Sequence, residues 1–149
     1  REKGFEPTLQ ELVLKKGKPY FGTCLGMQVM ARKGFEFGEY HGLGWIDAEI
    51  VRLPDHSPQL RIPHMGWHEI EYARDSFLFQ GLPKRPDVYF AHSYYMRCNL
   101  KEEIDATCDY GVRFAAGVRK NNMVGTQFHP EKSQALGLTI LKNFIRWNP

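Results

Sequence analysis

Gly22-Thr23-Cys24-Leu25-Gly26 follows the short apolar run Pro19-Tyr20-Phe21 and leads into a helix-like run from Leu25 to Lys33. Glycines two residues before and two residues after a cysteine allow a strand to turn abruptly into a helix, with the side chain held exposed and strained. The serine form of this elbow carries the nucleophile of many hydrolases; here the nucleophile would be sulfur. Two features would aid it. A helix N-terminus lends partial positive charge that favours thiolate, and the Leu25 amide N–H points to where an oxyanion would form. The same pentapeptide also suits a buried turn around an inert cysteine, so the elbow gains meaning only from a second site.

That site lies near the C-terminus, in Thr126-Gln127-Phe128-His129-Pro130-Glu131-Lys132-Ser133. Val124 to Phe128 reads as a strand and Ser133 begins a helix, so His129 and Glu131 fall at a strand-to-helix junction, where parallel sheets gather reactive groups. Pro130 fixes the chain between them, and residues i and i+2 can point a carboxylate at an imidazole. A solvated loop would use the same residues with no chemical purpose. Cysteine, histidine and an orienting acid at such junctions have the nucleophile, base and orienter logic of covalent catalysis.

Bulk properties narrow the classes. The chain has 149 residues, 42% apolar and 25% charged, and a net charge of +3. One domain with a buried core is expected. So small a charge, with both signs interspersed, argues against nucleic acid as a partner. No apolar run approaches the ~20 residues that span a bilayer, and no signal peptide is visible. Cys24, Cys98 and Cys108 are odd in number and contain no CxxC pair. They speak for a reducing, cytoplasmic setting and against a disulfide framework or zinc site; Cys98 and Cys108 read as strand packing. His64 and His68 stand at i, i+4, but a strand would not bring them together as a helix would, so no metal site is expected.

Thr8 to Lys16 reads as a helix with a Thr8/Glu11 capping box, an inward stripe of Leu9, Leu12 and Val13, and Gly17 as its end. After a glycine-rich segment from Gly34 to Gly44, β-forming runs dominate: Trp45 to Leu53, His68 to Tyr72, Val88 to Met96, Ile104 to Cys108, Arg113 to Arg119 and Met123 to Phe128. Asn121-Asn122 signals a hairpin turn. Ser133 to Arg146 reads as a terminal helix packing Leu138, Leu141, Phe144 and Ile145. Pro63-His64-Met65-Gly66-Trp67 falls between two strand-like runs, and its Trp suits either core or an interface anchor. The aromatic-rich Val88 to Tyr95 must send alternate rings to opposite faces.

The cysteine elbow through Met27-Gln28, together with the His129-Pro130-Glu131 motif, resembles the class I glutamine amidotransferases. Pro63 to Trp67, His92-Ser93-Tyr94-Tyr95 and Thr107 to Val112 are similar to the glutaminase subunits of imidazole glycerol phosphate synthase within that superfamily. The resemblance runs from about Lys18 to Trp147. It implies an α/β, flavodoxin-like three-layer domain with an antiparallel, β-rich C-terminal half. It implies Cys24 as nucleophile, His129 as base and then acid, Glu131 as the orienter of His129, and the Leu25 amide as oxyanion donor. Gln28, His92, Ser93 and Tyr94 match positions that hold L-glutamine. Trp67, Tyr89 and Lys132 match positions facing a (β/α)8-barrel cyclase, with which the family forms a heterodimer and to which it channels ammonia for histidine biosynthesis. No cofactor or metal is implied.

Two departures from the family pattern matter. Its chains begin several dozen residues earlier, with the first sheet strands and a glycine-rich loop that completes the oxyanion hole; residues 1–149 are therefore expected to be a single amidotransferase domain lacking its N-terminal strands, a fragment of a complete protein rather than a poor catalyst. Loss of one such donor typically lowers the rate by ~10²–10³-fold. His68 stands where the family usually has asparagine, and Gly44-Trp45-Ile46-Asp47-Ala48 also differs. These changes resemble a paralogous branch supplying ammonia for amidino sugars of the cell surface. A docking module without turnover, or another cysteine hydrolase such as a peptidase, remain as alternatives; Gln28 and His92-Ser93-Tyr94 argue against the peptidase.

Overall fold

The computed structural model describes residues 4–55 and 60–149; His56 lies outside them. Gly4 caps α1 (Phe5–Leu9), which runs into a π-helical stretch, Gln10–Lys15. The expected capping box is not made, because the helix starts earlier, at Phe5. Pro7 is tolerated in that first turn, where no N–H has an intrahelical partner. Of the expected stripe only Val13 is buried; Leu9 packs in part and Leu12 is exposed.

β1 (Tyr20–Thr23) leads into α2 (Leu25–Gln28). The helix does not reach Lys33, because backbone donors of the following loop take up the carbonyls at its end. Leu43 N–H donates to Val29 O at 2.8 Å, Trp45 and Ile46 to Met30 O at 2.9 and 3.0 Å, and Gly44 to Ala31 O at 3.0 Å. Lys33 and Gly34 form β2 (Lys33–Gly34) instead, followed by β3 (Tyr40–His41) and β4 (Ala48–Arg52).

Pro63 to Trp67 is not a link between strands: His64 onward belongs to β5 (His64–Glu69), and Ile70 separates it from β6 (Glu71–Tyr72). The run Val88 to Met96 breaks at Ser93 into β7 (Asp87–His92) and β8 (Tyr94–Cys98). β9 (Ile104–Asp109), β10 (Arg113–Lys120) and β11 (Met123–Thr126) follow, the last two joined by the Asn121-Asn122 hairpin. A 3₁₀ turn, Pro130–Lys132, then precedes α3 (Gln134–Arg146).

The main sheet has the order β1-β11-β10-β9-β6, with β1 and β11 parallel and the other pairs antiparallel. A second sheet, β3-β2-β4-β8, and a β5-β7 ribbon flank it. β10 is buried from Phe114 to Val118, and its two faces serve different cores. Phe114 and Ala116 join Val124, Phe128, Phe90 and Ile140 of α3; Ala115 and Val118 join Met123, Val13, Met27 and Ile50 on the other side. Helices thus cover both faces of the sheet, as α/β layering requires. The inward face of α3 is Gly137 and Ile140, with Phe144 partly buried, whereas Leu138 and Ile145 of the expected stripe are exposed. Among the described residues no helix is long and apolar enough to cross a membrane.

Candidate active site

Parallel pairing of β1 with β11 brings the two sequence motifs together. Tyr20 to Thr23 run in register with Met123 to Thr126, so both strands end at one edge of the sheet. There the Cys24 N–H donates to Thr126 O at 2.7 Å. Cys24 takes φ 48° and ψ −107°, a sparsely populated conformation for a residue with a side chain and of a kind that clusters at functional sites. The bend is tight enough that a Cβ on Gly22 would lie 2.3 Å from the Gly26 carbonyl oxygen. The two glycines are not equivalent, because a Cβ on Gly26 would meet only the Tyr20 hydroxyl, at 3.8 Å.

The thiol is half-buried, and burial is the main cause that lifts its pKa above the ordinary value; the Glu131 carboxylate adds to the rise. A hydrogen bond from the Leu25 amide, the Gln127 side chain and the Lys132 charge pull the other way without winning. The expected help from a nine-residue helix is reduced to that of a four-residue α2, and the sulfur rests protonated. Its side-chain partners are the Ala91 carbonyl at 3.9 Å and the Gln127 Nε2 at 3.7 Å. Among the described residues no hydrogen bond joins Sγ to His129, and such contacts commonly tighten only when substrate is bound.

His129 is held from two sides. Its Nδ1 lies 2.7 Å from Glu131 Oε1, so Nδ1 donates to the carboxylate and Nε2 is the nitrogen left for proton transfer. Its backbone N–H donates to Tyr89 O at 2.8 Å. Ser133 completes the clamp, its hydroxyl donating to His129 O at 2.7 Å while accepting from the Tyr89 N–H at 3.0 Å. The imidazole is largely covered, 18% exposed, and Glu131 is open to solvent.

Gln28, His92, Ser93 and Tyr94 also converge. The Gln28 Nε2 donates to Tyr94 O at 2.9 Å and to Gln127 Oε1 at 3.1 Å. Nδ1 of His92 donates to the same Tyr94 carbonyl at 2.8 Å, and Ser93 O accepts from the Leu53 N–H. Sequence reading missed Gln127, a fully buried residue that bridges Gln28 and the sulfur. Its only signal was the i, i+2 spacing to His129, which in extended chain sets both on one side. It also missed Glu36, which lines a cavity of about 200 Å³ with Leu25, Gln28, Lys33 and Tyr40.

Trp67, Tyr89 and Lys132 form one patch. Trp67 pairs with Tyr89 across β5 and β7, their rings edge-on at 5.9 Å, and the Lys132 ammonium lies 5.8 Å from the Tyr89 ring centre. Exposed Met65 extends the patch on β5. Met65 pairs with Ala91, whose carbonyl faces the sulfur, so the patch reaches the edge of the site. Cys98 and Cys108 are free, and burial pushes both thiols up to about 12.

The expectation that a strand would keep His64 and His68 apart fails. His64 Nε2 and His68 Nδ1 are 2.9 Å apart. Gly66 between them takes φ 131°, a conformation at ease only for glycine, and puts no side chain between the two rings, while β5 stays in register with β7 from His64 to Glu69. Among the described residues no group of three or more His, Cys, Asp or Glu is arranged to hold a metal ion.

A family model described as glutamine amidotransferase class-I matches residues 1–147. The chain is 42% identical over 149 residues to a protein of Mesorhizobium japonicum named imidazole glycerol phosphate synthase subunit HisH, covering 98% of this chain and 69% of that one. It is 46% identical over 146 residues to imidazole glycerol phosphate synthase subunit HisH 1 of Campylobacter jejuni, covering 98% of this chain and 72% of that one. Among solved structures, a glutamine amidotransferase from Thermotoga maritima superposes with a TM-score of 0.63 at 25% identity, over 95% of this chain and 51% of that one. Another solved glutamine amidotransferase superposes with a TM-score of 0.68 at 22% identity, over 97% of this chain and 70% of that one. That last likeness concerns the fold alone.

Proposed function

The chain belongs to the glutamine amidotransferase class-I family, and from that premise we propose that it is the glutaminase subunit of an imidazole glycerol phosphate synthase. It hydrolyses L-glutamine to glutamate and ammonia and passes the ammonia to a (β/α)8-barrel cyclase in a cytoplasmic heterodimer. The observation that carries this reading is the convergence of the Cys24 elbow and the Glu131-braced His129 at the shared end of β1 and β11.

Because the thiol rests protonated, the first step needs a base. His129 Nε2 takes the Sγ proton, and sulfur attacks the side-chain amide carbon of glutamine. The Leu25 N–H stabilises the oxyanion that forms. The tetrahedral intermediate collapses as His129 returns the proton to the leaving nitrogen; the C–N bond breaks, ammonia departs and a glutamyl thioester remains on Cys24. Water, deprotonated by the same imidazole, attacks the thioester carbon, breaks the C–S bond and frees glutamate. Glu131 keeps the His129 tautomer fixed throughout.

The amino-acid end of glutamine suits the cavity beside the elbow. Both N–H groups of Gln28 are committed to Tyr94 and Gln127, so its carbonyl oxygen is left to accept from an α-ammonium. Glu36, which lines the same cavity, offers a carboxylate to that α-ammonium. The Trp67–Tyr89–Lys132 patch is the docking face for the cyclase, aromatic and cationic as interface anchors tend to be. Ammonia released into bulk water would protonate and be lost to the acceptor, which is the physical reason for joining the two sites.

A second reading, a paralogue feeding amidino-sugar synthesis on the cell surface, draws support from His68 and from Gly44 to Ala48, which depart from the family pattern. Both readings share the glutaminase chemistry and differ in the acceptor. The test is ammonia release from glutamine by the full-length subunit with its cyclase, together with product formation from the imidazole precursor. Both are expected, with release much slower when the cyclase is absent. A complex that forms product from ammonium salts but not from glutamine would leave the chain a docking module and contradict the proposal.

A further inference from the structure

Three imidazoles outside the Cys24–His129–Glu131 set form a single row. His68 Nδ1 lies 2.9 Å from His64 Nε2, and His64 Nδ1 lies 2.9 Å from His92 Nε2. His92 Nδ1 in turn lies 2.8 Å from Tyr94 O. His64 is fully buried, its ring stacked between Tyr110 at 3.8 Å and Phe90 at 4.6 Å. Burial, and the neighbouring imidazoles, hold His64 down to about 3; burial first, with His129 adding, holds His92 down to about 4. Both are neutral at physiological pH, so each ring has one donor and one acceptor.

That fixes the direction of every bond. The Tyr94 carbonyl can only accept, so His92 donates from Nδ1 and accepts at Nε2. His64 must then donate from Nδ1 and accept at Nε2, and His68 must donate from Nδ1. The row ends on the oxygen that also receives the Gln28 amide. At its other end His68 borders an open cleft of about 450 Å³ with Trp67, Glu71, Arg85 and Arg113.

We propose that His68 is a positioning residue for glutamine binding: its Nδ1–H satisfies the buried Nε2 acceptor that the Tyr94 end of the row leaves on His64, and so holds His92, the Tyr94 carbonyl and the Gln28 amide in their binding orientation. The assignment rests on the reading of Gln28 as a substrate residue. Without a donor at position 68 that acceptor is buried and unpaired. Moving the His64 proton to Nε2 gives no relief, since two lone pairs would then face each other between His64 Nδ1 and His92 Nε2; the ring must shift to find a partner, and the segment from His92 to Tyr94 would lose its single arrangement.

The chemistry supplies an internal control. The Nδ2 of an asparagine occupies the same bonded position as Nδ1 of histidine, two atoms beyond Cβ, and it donates; a leucine has the same shape and does not. In the complete complex, His68→Asn is expected to keep the parent KM for glutamine. His68→Leu is expected to raise KM about tenfold, the scale of one unsatisfied buried polar group, with kcat within about twofold of the parent. Ring-nitrogen NMR of the parent is expected to show Nδ1–H with a bare Nε2 at His64 and His92. His68→Asn keeps the His64 Nε2 shift of a hydrogen-bonded acceptor, and His68→Leu moves it to that of an unbonded nitrogen.

Any other tautomer in the parent would overturn the proposal, and that measurement needs no variant to fold. An unchanged KM in His68→Leu would overturn it too, as would a raised KM with an unchanged His64 Nε2 shift, which would make His68 a packing residue. Absence of glutaminase activity in the parent complex would instead strike the functional reading, while the NMR pattern would still judge the row itself.

Discussion

Cys24 occupies a backbone conformation that few residues with side chains adopt, and the pentapeptide around it exists to permit that. The strain at φ 48° is sustained by backbone bonds on both sides: the Cys24 N–H to Thr126 O, and the Cys24 carbonyl to the Met27 and Gln28 N–H groups. The two glycines contribute unequally. Gly22→Ala is expected to lower unfolding stability by about 3 kcal/mol or more, since the added methyl meets backbone rather than a movable side chain. Gly26→Ala is expected to be neutral or to stabilise by up to about 1 kcal/mol through helix propensity. Denaturant midpoints measure both, and equal losses in the two variants would contradict this geometry. The elbow was legible in sequence because its cause is local. Gln127 was not, because its meaning depends on two residues about a hundred positions away, Gln28 and Cys24.

At the scale of the element, sequence patterns indicated which segments form strands and gave way wherever a distant partner sets the boundary. α2 stops at Gln28 because N–H groups from residues 43 to 46 take the carbonyls of Val29, Met30 and Ala31 just beyond it, and no periodicity within residues 25–33 records that. β5 departs from expectation for the opposite reason: the strand is regular, but Gly66 puts no side chain between positions 64 and 68, and the two rings meet across the gap. The β5–β7 ribbon holds two neutral histidines, with consequences for acid stability. His64 and His92 are held at about 3 and about 4 when folded, against an ordinary 6.5. The unfolded chain therefore takes up protons first as pH falls, so their contribution is complete above pH ~6.5 and is lost as pH drops toward ~4. The melting temperature is expected to decline steadily between pH 7 and pH 5, a range above most carboxylate titration. A flat melting temperature across that range would mean that these imidazoles are charged or exposed when folded.

On the scale of the whole molecule, a mixed sheet with helices on both faces does one thing for chemistry: its single parallel pair, β1 with β11, ends two strands side by side. The layered α/β class was legible from the helix-strand-elbow opening and the β-rich remainder. The pairing that makes the site was not, because β1 and β11 lie about a hundred residues apart and nothing in their apolar composition names a partner. From that pairing follows the central claim, that sulfur at Cys24 and the Glu131-steered imidazole of His129 act together on a carboxamide. Acid-quenching the complete complex during turnover of glutamine, then measuring peptide masses, tests it most directly. The account predicts a glutamyl thioester on the peptide bearing Cys24, with the adduct and ammonia release both lost in Cys24→Ala. Ammonia release that persists in Cys24→Ala, or turnover with a glutamyl adduct on a different residue, would contradict it.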